Sequence, residues 1–203
     1  IFDLLSQPEG QIDPSLPSGE YRERVFEICH YLARNGIGLY AYPREYGGNG
    51  DIPGSIHAFE SIAFHDLSLL VKFGVHFGLF GGSVFQLGTK THHERYLNQI
   101  GMLELPGCFA MTETGHGSNV RDIETTAVYD AATQEFVINT PVTRARKDYI
   151  GNAALHGRMA TVFAQLEVNG ERHGVHALLV PIRDETGRPW PGVTIEDCGL
   201  KAG

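Results

Sequence analysis

The hydrophobic period of this chain changes once, and that change limits what it can fold into. Up to Leu105, apolar residues recur every three to four positions; after Pro106 they fall into short runs separated by turn signals. Tyr21, Val25, Ile28 and Leu32 share one helix face, with Ser18 placed as N-cap and Gly36 as a stop. The phrase YPREYGGNGDIPGS, rich in Gly, Pro, Asn and Asp, reads as a loop. A second helix is predicted over 55–65 with Ile56, Phe59 and Ile62 inward, and a third over the apolar stretch 67–87. A fourth starts at Thr91, where Thr91 and Glu94 make a capping-box pattern, and turns Tyr96, Leu97 and Ile100 inward.

The second half reads as strands at 107–112, 125–129, 135–139, 161–168 and 175–181, with a further start at 193–195. Asn169-Gly170 between two of these runs is a strong hairpin signal. The predicted class is α+β: a helical domain over 1–105, then an antiparallel β-barrel or sandwich domain over 106–203. The phrases IFDLL at the start and GLKAG at the end read as the cut edges of a longer protein.

Composition narrows the function. With 24 Asp and Glu against 16 Lys and Arg, the chain lacks the basic footprint of a nucleic-acid binder. Three widely spaced cysteines without a CxxC pair argue against a disulfide scaffold and a thiolate zinc site. The stretch 67–87 contains Lys72, His76, Gln86 and four glycines, which favours a buried core helix over a membrane span. No basic n-region marks a signal peptide. The 25 glycines follow no Gly-X-Y period and point to turns and close backbone approaches.

The run Phe109 to Asn119, FAMTETGHGSN, carries the densest chemistry. Gly115 and Gly117 let backbone amides approach an acceptor-rich ligand, and Thr112 and Ser118 add hydroxyls. A plain Gly-rich turn is the competing reading. The spacing is neither a P-loop nor GxGxxG, and no GxSxG supports a serine hydrolase. Ten histidines raise a metal hypothesis, but His92 and His93 cannot share a helix face, and His173 and His176 point to opposite faces of a strand. No metal site is expected. His116 is placed either near a ligand or in a structural hydrogen bond. Arg144, Arg146 and Lys147 form the one basic cluster, read as a solvated turn with phosphate binding as the alternative. Cys108 reads as a buried thiol.

The segment CFAMTETGHGSNVRDIETTAVYDAATQEFVINTP resembles the middle-domain signature of acyl-CoA oxidases and, more loosely, the TEPGAGSD signature of acyl-CoA dehydrogenases. YPREYGG is similar to a loop of that family's helical N-terminal domain. VHALLVPIRDETGRPWPGVTIEDCGLKAG is similar to its later middle-domain strands. The resemblance spans nearly the whole chain, in order.

It implies a flavoprotein that oxidises an acyl-CoA to a trans-2-enoyl-CoA. FAD would lie between the middle domain and a C-terminal helical domain absent from this chain. Carried over by motif, Thr112 bonds the flavin ring, with Phe109, Ala110, Met111 and Gly117 beside it, and Ser118 lies near the acyl-CoA. A Trp-Trp-Pro-Gly-Gly segment of the oxidases falls on Asp148 to Asn152, so Gly151 and Asn152 are further flavin contacts; Gly151 keeps the first Gly, and both Trp are replaced. The family's catalytic base is expected beyond Gly203, and Glu113 is read as orienting its turn. The implied electron acceptor is O2, with an electron-transfer flavoprotein as the alternative. A homodimer or homotetramer follows from the same resemblance, with a peroxisomal location if eukaryotic and a cytoplasmic one if bacterial. The competing class is a non-catalytic binding module on the same scaffold.

Overall fold

The computed structural model describes residues 1–199; residues 200–203, the end of the expected middle domain, lie outside the described residues. The chain forms two compact units, Ile1–Gly107 and Cys108–Cys198.

The first unit holds helices α1 (Phe2–Leu5), α2 (Ser18–Arg34), α3 (Ile52–His65), α4 (Leu67–Phe73), α5 (Gly81–Leu87) and α6 (Lys90–Gly101). A π-helical stretch, Gly74–Phe80, joins α4 to α5 without a break, so 67–87 is one long helix. Its buried side carries Leu69, Phe73, Phe77, Phe80 and Val84, while Leu67, Val71, Leu79 and Leu87 are exposed. The expected core helix is therefore buried on one side only. Val25, Ile28 and Leu32 of α2 meet Ile62, Leu69 and Phe73 in the core. Tyr21 lies on the same helix face but only part-buried, because its hydroxyl reaches Asp66 Oδ2 at 2.5 Å.

Three local expectations are corrected. Ser18 is the first helical residue of α2, and Pro17 holds the cap position. Ile56 is exposed; Ala58 and Ile62 are the buried residues of α3, whose N-terminus is capped by Asp51 accepting from the Gly54 N–H at 2.8 Å. The capping box of α6 starts two residues early, at Thr89, with His92 in place of an acidic residue. His92 Nδ1 accepts from the Thr89 N–H at 3.0 Å, a role that a search for Glu or Gln at that position misses.

The YPREYGG loop serves this unit as a plug. Tyr42 is buried and its hydroxyl donates to the Phe77 carbonyl, inside the π-helical stretch, at 2.9 Å. A Cβ on Gly81 would sit 1.7 Å from that hydroxyl, so only glycine fits there. His76, also in the π-helical stretch, accepts from the Gly107 N–H through Nδ1 at 3.1 Å and donates from Nε2 to the Ile100 carbonyl at 2.8 Å.

The second unit is built on a curled, half-barrel sheet of strands β1 (Gly107–Ala110), β2 (Thr126–Asp130), β3 (Glu135–Asn139), β4 (Met159–Val168) and β5 (Glu171–Pro181). β3 runs antiparallel to β2, from Thr126 opposite Asn139 to Asp130 opposite Glu135. β5 runs antiparallel to β4 along its whole length, with an irregularity at Leu166/Glu167. Asn169 and Gly170 turn this hairpin with φ of 53° and 78°, the left-handed pair of a type I′ turn. The sheet is not wholly antiparallel: β2 lies parallel to β4, with Thr126 opposite Gln165. The long connection 140–158 makes this possible, since parallel neighbours need a crossover rather than a hairpin. Cys108, Ala110, Ala160, Val162 and Ile182 form the sheet core. The strand expected at 193–195 is irregular chain; left-handed Gly192 (φ 85°) precedes it, and Val193 closes a turn onto the Trp190 carbonyl.

Candidate functional site

The run 109–119 leaves β1 and folds into a tight turn. Glu113 and His116 exchange both backbone hydrogen bonds, each 3.0 Å. A second segment runs antiparallel beside it: Asp148 N–H donates to the Thr112 carbonyl at 3.1 Å, Thr114 N–H to Arg146 at 2.9 Å and Gly115 N–H to Arg144 at 2.8 Å. Residues 112–115 and 144–148 are thus one unit of structure, although at least 29 positions separate them in sequence.

A buried ion pair fixes it from beneath. The Glu113 side chain is fully buried (0% exposed), and Lys147 is 13% exposed at 3.0 Å from Glu113 Oε1. Glu113 Oε1 also accepts from the Thr125 N–H at 2.9 Å and the Thr125 hydroxyl at 2.6 Å, and Oε2 from the Glu124 N–H at 2.8 Å. Burial pushes the Glu113 carboxyl up. The bonds from Glu124, Thr125 and Lys147 outweigh that and hold it below the usual carboxylate range. Burial in turn holds the Lys147 ammonium below the usual lysine range, against the pull of Glu113. Its other two protons go to the Met111 carbonyl at 3.0 Å and the Phe163 carbonyl of β4 at 2.7 Å.

The candidate residues fall into three groups. Phe109 packs on Phe163, ring centroids 4.9 Å apart, and is part-buried, while the Ala110 side chain is buried in the sheet core. Met111 and Thr112 are part-buried at the exit from β1, and the Thr112 hydroxyl has no hydrogen bond among the described residues. Gly151 and Asn152 follow Asp148, the partner of Thr112, by three and four residues. Asn152 is left-handed (φ 66°) and its carbonyl accepts from the Gly157 N–H at 2.7 Å. Gly117 and Ser118 are exposed at the far end of the turn.

The basic cluster separates into unlike parts. Arg144 pairs with Glu124 at 2.7 Å and Arg146 with Glu196 at 3.4 Å, both on the surface. Lys147 is the buried member, so a solvated turn describes two of the three. His116 Nε2 lies 3.1 Å from Glu124 Oε2, the structural hydrogen bond of the two readings. Glu113, His116 and Glu124 are close enough to suggest a metal trio, but Lys147, Thr125, Arg144 and two backbone amides already occupy its carboxylates. Cys108 is fully buried, against Gly157.

An open groove of about 810 Å³ follows the turn, lined by Val120, Arg121, Glu124, Gln165, Arg172 and Val175 among others. Arg121 and Arg172 are exposed there and have no ion-pair partner among the described residues. Reading the sequence passed them over, since 51 positions separate them and only the β4–β5 hairpin brings them to one groove.

Comparison with known proteins identifies the family of the chain. The acyl-CoA dehydrogenase N-terminal domain matches residues 11–104, and the acyl-CoA dehydrogenase middle domain matches residues 108–203. Acyl-coenzyme A oxidase 3, peroxisomal, of Arabidopsis thaliana is 44% identical over 184 residues, covering 91% of this chain and 27% of the relative. The crystal structure of acyl-CoA oxidase 1 from Yarrowia lipolytica matches 98% of this chain and 28% of its own with a TM-score of 0.86 and 28% identity. Acyl-CoA oxidase-2 of Caenorhabditis elegans, solved with FAD, ascaroside-CoA and ATP, matches 88% of this chain and 31% of its own with a TM-score of 0.62 and 29% identity. The chain spans under a third of the length of each. It belongs to the acyl-CoA dehydrogenase and oxidase family, of which it carries the N-terminal helical and middle domains.

Proposed function

We propose that the protein carrying this chain is an FAD-dependent acyl-CoA oxidase, converting an acyl-CoA to its trans-2-enoyl-CoA with O2 as the electron acceptor. The observation that carries this reading is the match to acyl-CoA oxidases over 91–98% of the chain, in sequence and in structure. FAD, when bound, supplies the two-electron acceptor for the hydride leaving the β-carbon. The donor set at the exit of β1 fits such a group: a part-buried Thr112 with a hydroxyl free to bond a ring heteroatom, and a backbone pinned on both sides of it. Phe109, Ala110 and Met111 would flank the ring edge, with Gly151 and Asn152 beside them. Ser118 and the adjoining groove would receive the CoA part of the substrate, with Arg121 and Arg172 facing its phosphates.

Glu113 takes no proton in this scheme. Its two oxygens already accept four hydrogen bonds, and its ionised form is the stabilised one. The base that removes the α-proton is assigned to a part of the protein outside this chain. A peroxisomal location and a homodimer or homotetramer complete the reading, the former supported by the Arabidopsis relative's name.

The experiment is spectroscopic. The purified protein should be yellow, bleach on anaerobic addition of an acyl-CoA, and recover on mixing with O2 while forming peroxide. Thr112→Ala should weaken FAD binding by about tenfold, the value of one buried hydrogen bond. A colourless protein that binds no FAD refutes the flavin reading. Bleaching with slow recovery and no peroxide makes it a dehydrogenase.

A further inference from the structure

The backbone on either side of Thr112 is held by hydrogen bonds, one of them from Lys147. Every peptide bond described is trans, so the carbonyl of Met111 and the N–H of Thr112, which share one peptide plane, point in opposite directions. The Met111 carbonyl points at Lys147 Nζ, 3.0 Å away. The Thr112 N–H therefore points away from the Lys147 ammonium. The next carbonyl, that of Thr112, is taken by the Asp148 N–H at 3.1 Å, and the next side chain, Glu113, is fixed by four donors. Both peptide planes flanking Thr112 are thus set, and Lys147 sets the first.

The ammonium has three protons and three acceptors: the Met111 carbonyl, Glu113 Oε1 and the Phe163 carbonyl at 2.7 Å. Its third bond refers the β1 exit to the middle of β4, the longest-paired strand of the sheet. No other side chain among the described residues bonds to the Met111 carbonyl. An ion pair needed only for stability would be satisfied by the bond to Glu113. The bond to Met111 adds orientation of one specific peptide.

We infer that Lys147 is a positioning residue for the cofactor: by holding the Met111 carbonyl it aims the Thr112 N–H and hydroxyl at the flavin ring. This rests on the flavin reading above, and the test separates the two. The inference predicts that Lys147 acts through Thr112, so their effects on FAD binding must be coupled. All variants are made with Glu113 intact, because Glu113→Gln would set an amide NH2 against backbone N–H donors and leave the ammonium buried without its counter-ion. In that background Lys147→Met, Thr112→Ala and the two together are compared by FAD dissociation constant and by the flavin absorption spectrum. Circular dichroism confirms that each is folded. Lys147→Met is expected to weaken FAD binding by about tenfold and to move the flavin band toward that of free FAD. With Thr112→Ala already present, it should add less than it costs alone, the remainder reporting the backbone N–H that alanine keeps. If Lys147→Met does not fold, Lys147→Arg takes its place, since a planar guanidinium keeps the charge but not the three-way geometry. Full additivity, or unchanged affinity and spectrum without the ammonium, overturns the inference while the flavin reading stands. A wild-type protein that binds no FAD overturns both.

Discussion

His76 in the helical unit and Glu113 in the sheet unit are both sealed from solvent, and they are held there in opposite charge states. His76 is neutral: burial pushes its pKa down to about 4, and its two ring nitrogens are used once each, as donor to Ile100 and acceptor from Gly107. That arrangement needs no counter-ion, because a neutral imidazole offers one donor and one acceptor. Glu113 is ionised, with an ammonium, a hydroxyl and two amides around it. The helical unit uses its buried polar group to join Ile100 of α6 to Gly107, both within that unit. In the sheet unit a charge pair ties four separate segments together, directly behind the residues assigned to the cofactor. Charge is costly to bury, and here each charged group meets that cost with a full set of hydrogen bonds.

Removing one partner of the pair is the most severe way to break that comparison. Lys147→Met leaves the Glu113 carboxylate buried without its cation, and the expected loss is about 3–5 kcal/mol in denaturant unfolding. A loss under about 1 kcal/mol would mean that water reaches Glu113 and that the two buried groups are not opposites.

The pair also shows where sequence reasoning reaches its limit. β3 was legible to the residue, because a polar turn bounds Glu135 on one side and Pro141 follows Asn139 closely on the other. The hairpin at Asn169-Gly170 was legible because both positions require left-handed backbone. The parallel pairing of β2 with β4 was not, since it depends on where a long crossover lands. Nor was the role of Lys147. Three basic residues within four positions look alike in sequence, and the acid that distinguishes Lys147 lies 34 positions earlier. The family motif pointed to Thr112; only the geometry shows what holds Thr112 in place.

The neutral member of the comparison is tested by pH. The folded-state pKa of His76, about 4, lies below its ordinary value of 6.5. Between these values the unfolded chain binds a proton that the folded chain refuses, so stability is full above about pH 6.5 and falls as pH drops toward 4. At 1.36 kcal/mol per unit the full drop is about 3 kcal/mol. Glu113, held below the carboxylate range, adds a loss at lower pH, beginning below its ordinary 4.5. Urea unfolding across pH 4–7 should therefore show a slope that His76→Phe reduces, with a remainder from His30, which burial and Arg34 also hold below its ordinary value, and with the decline below pH 4.5 remaining. A slope unchanged by that variant would mean that His76 is protonated in the fold.

The smallest effect sharpens the contrast within one basic run. Arg144 sits three residues before Lys147 and also meets a carboxylate, Glu124, at 2.7 Å, yet its side chain is 62% exposed. Its contribution to the turn is made by backbone: the Arg144 carbonyl accepts from the Gly115 N–H at 2.8 Å, and truncating the side chain leaves that bond in place. Glu124 also keeps a partner without it, since His116 Nε2 lies 3.1 Å from the same oxygen. An exposed pair with a substitute partner is worth little, and salt screens what remains. Arg144→Ala should cost under about 1 kcal/mol, less still at 0.5 M NaCl, and leave FAD affinity within about twofold. Lys147→Met, by contrast, should be nearly insensitive to salt. If the two substitutions proved equally costly and equally screened, burial would not be what separates them, and the distinction drawn between the charges beneath the turn and those around it would fail.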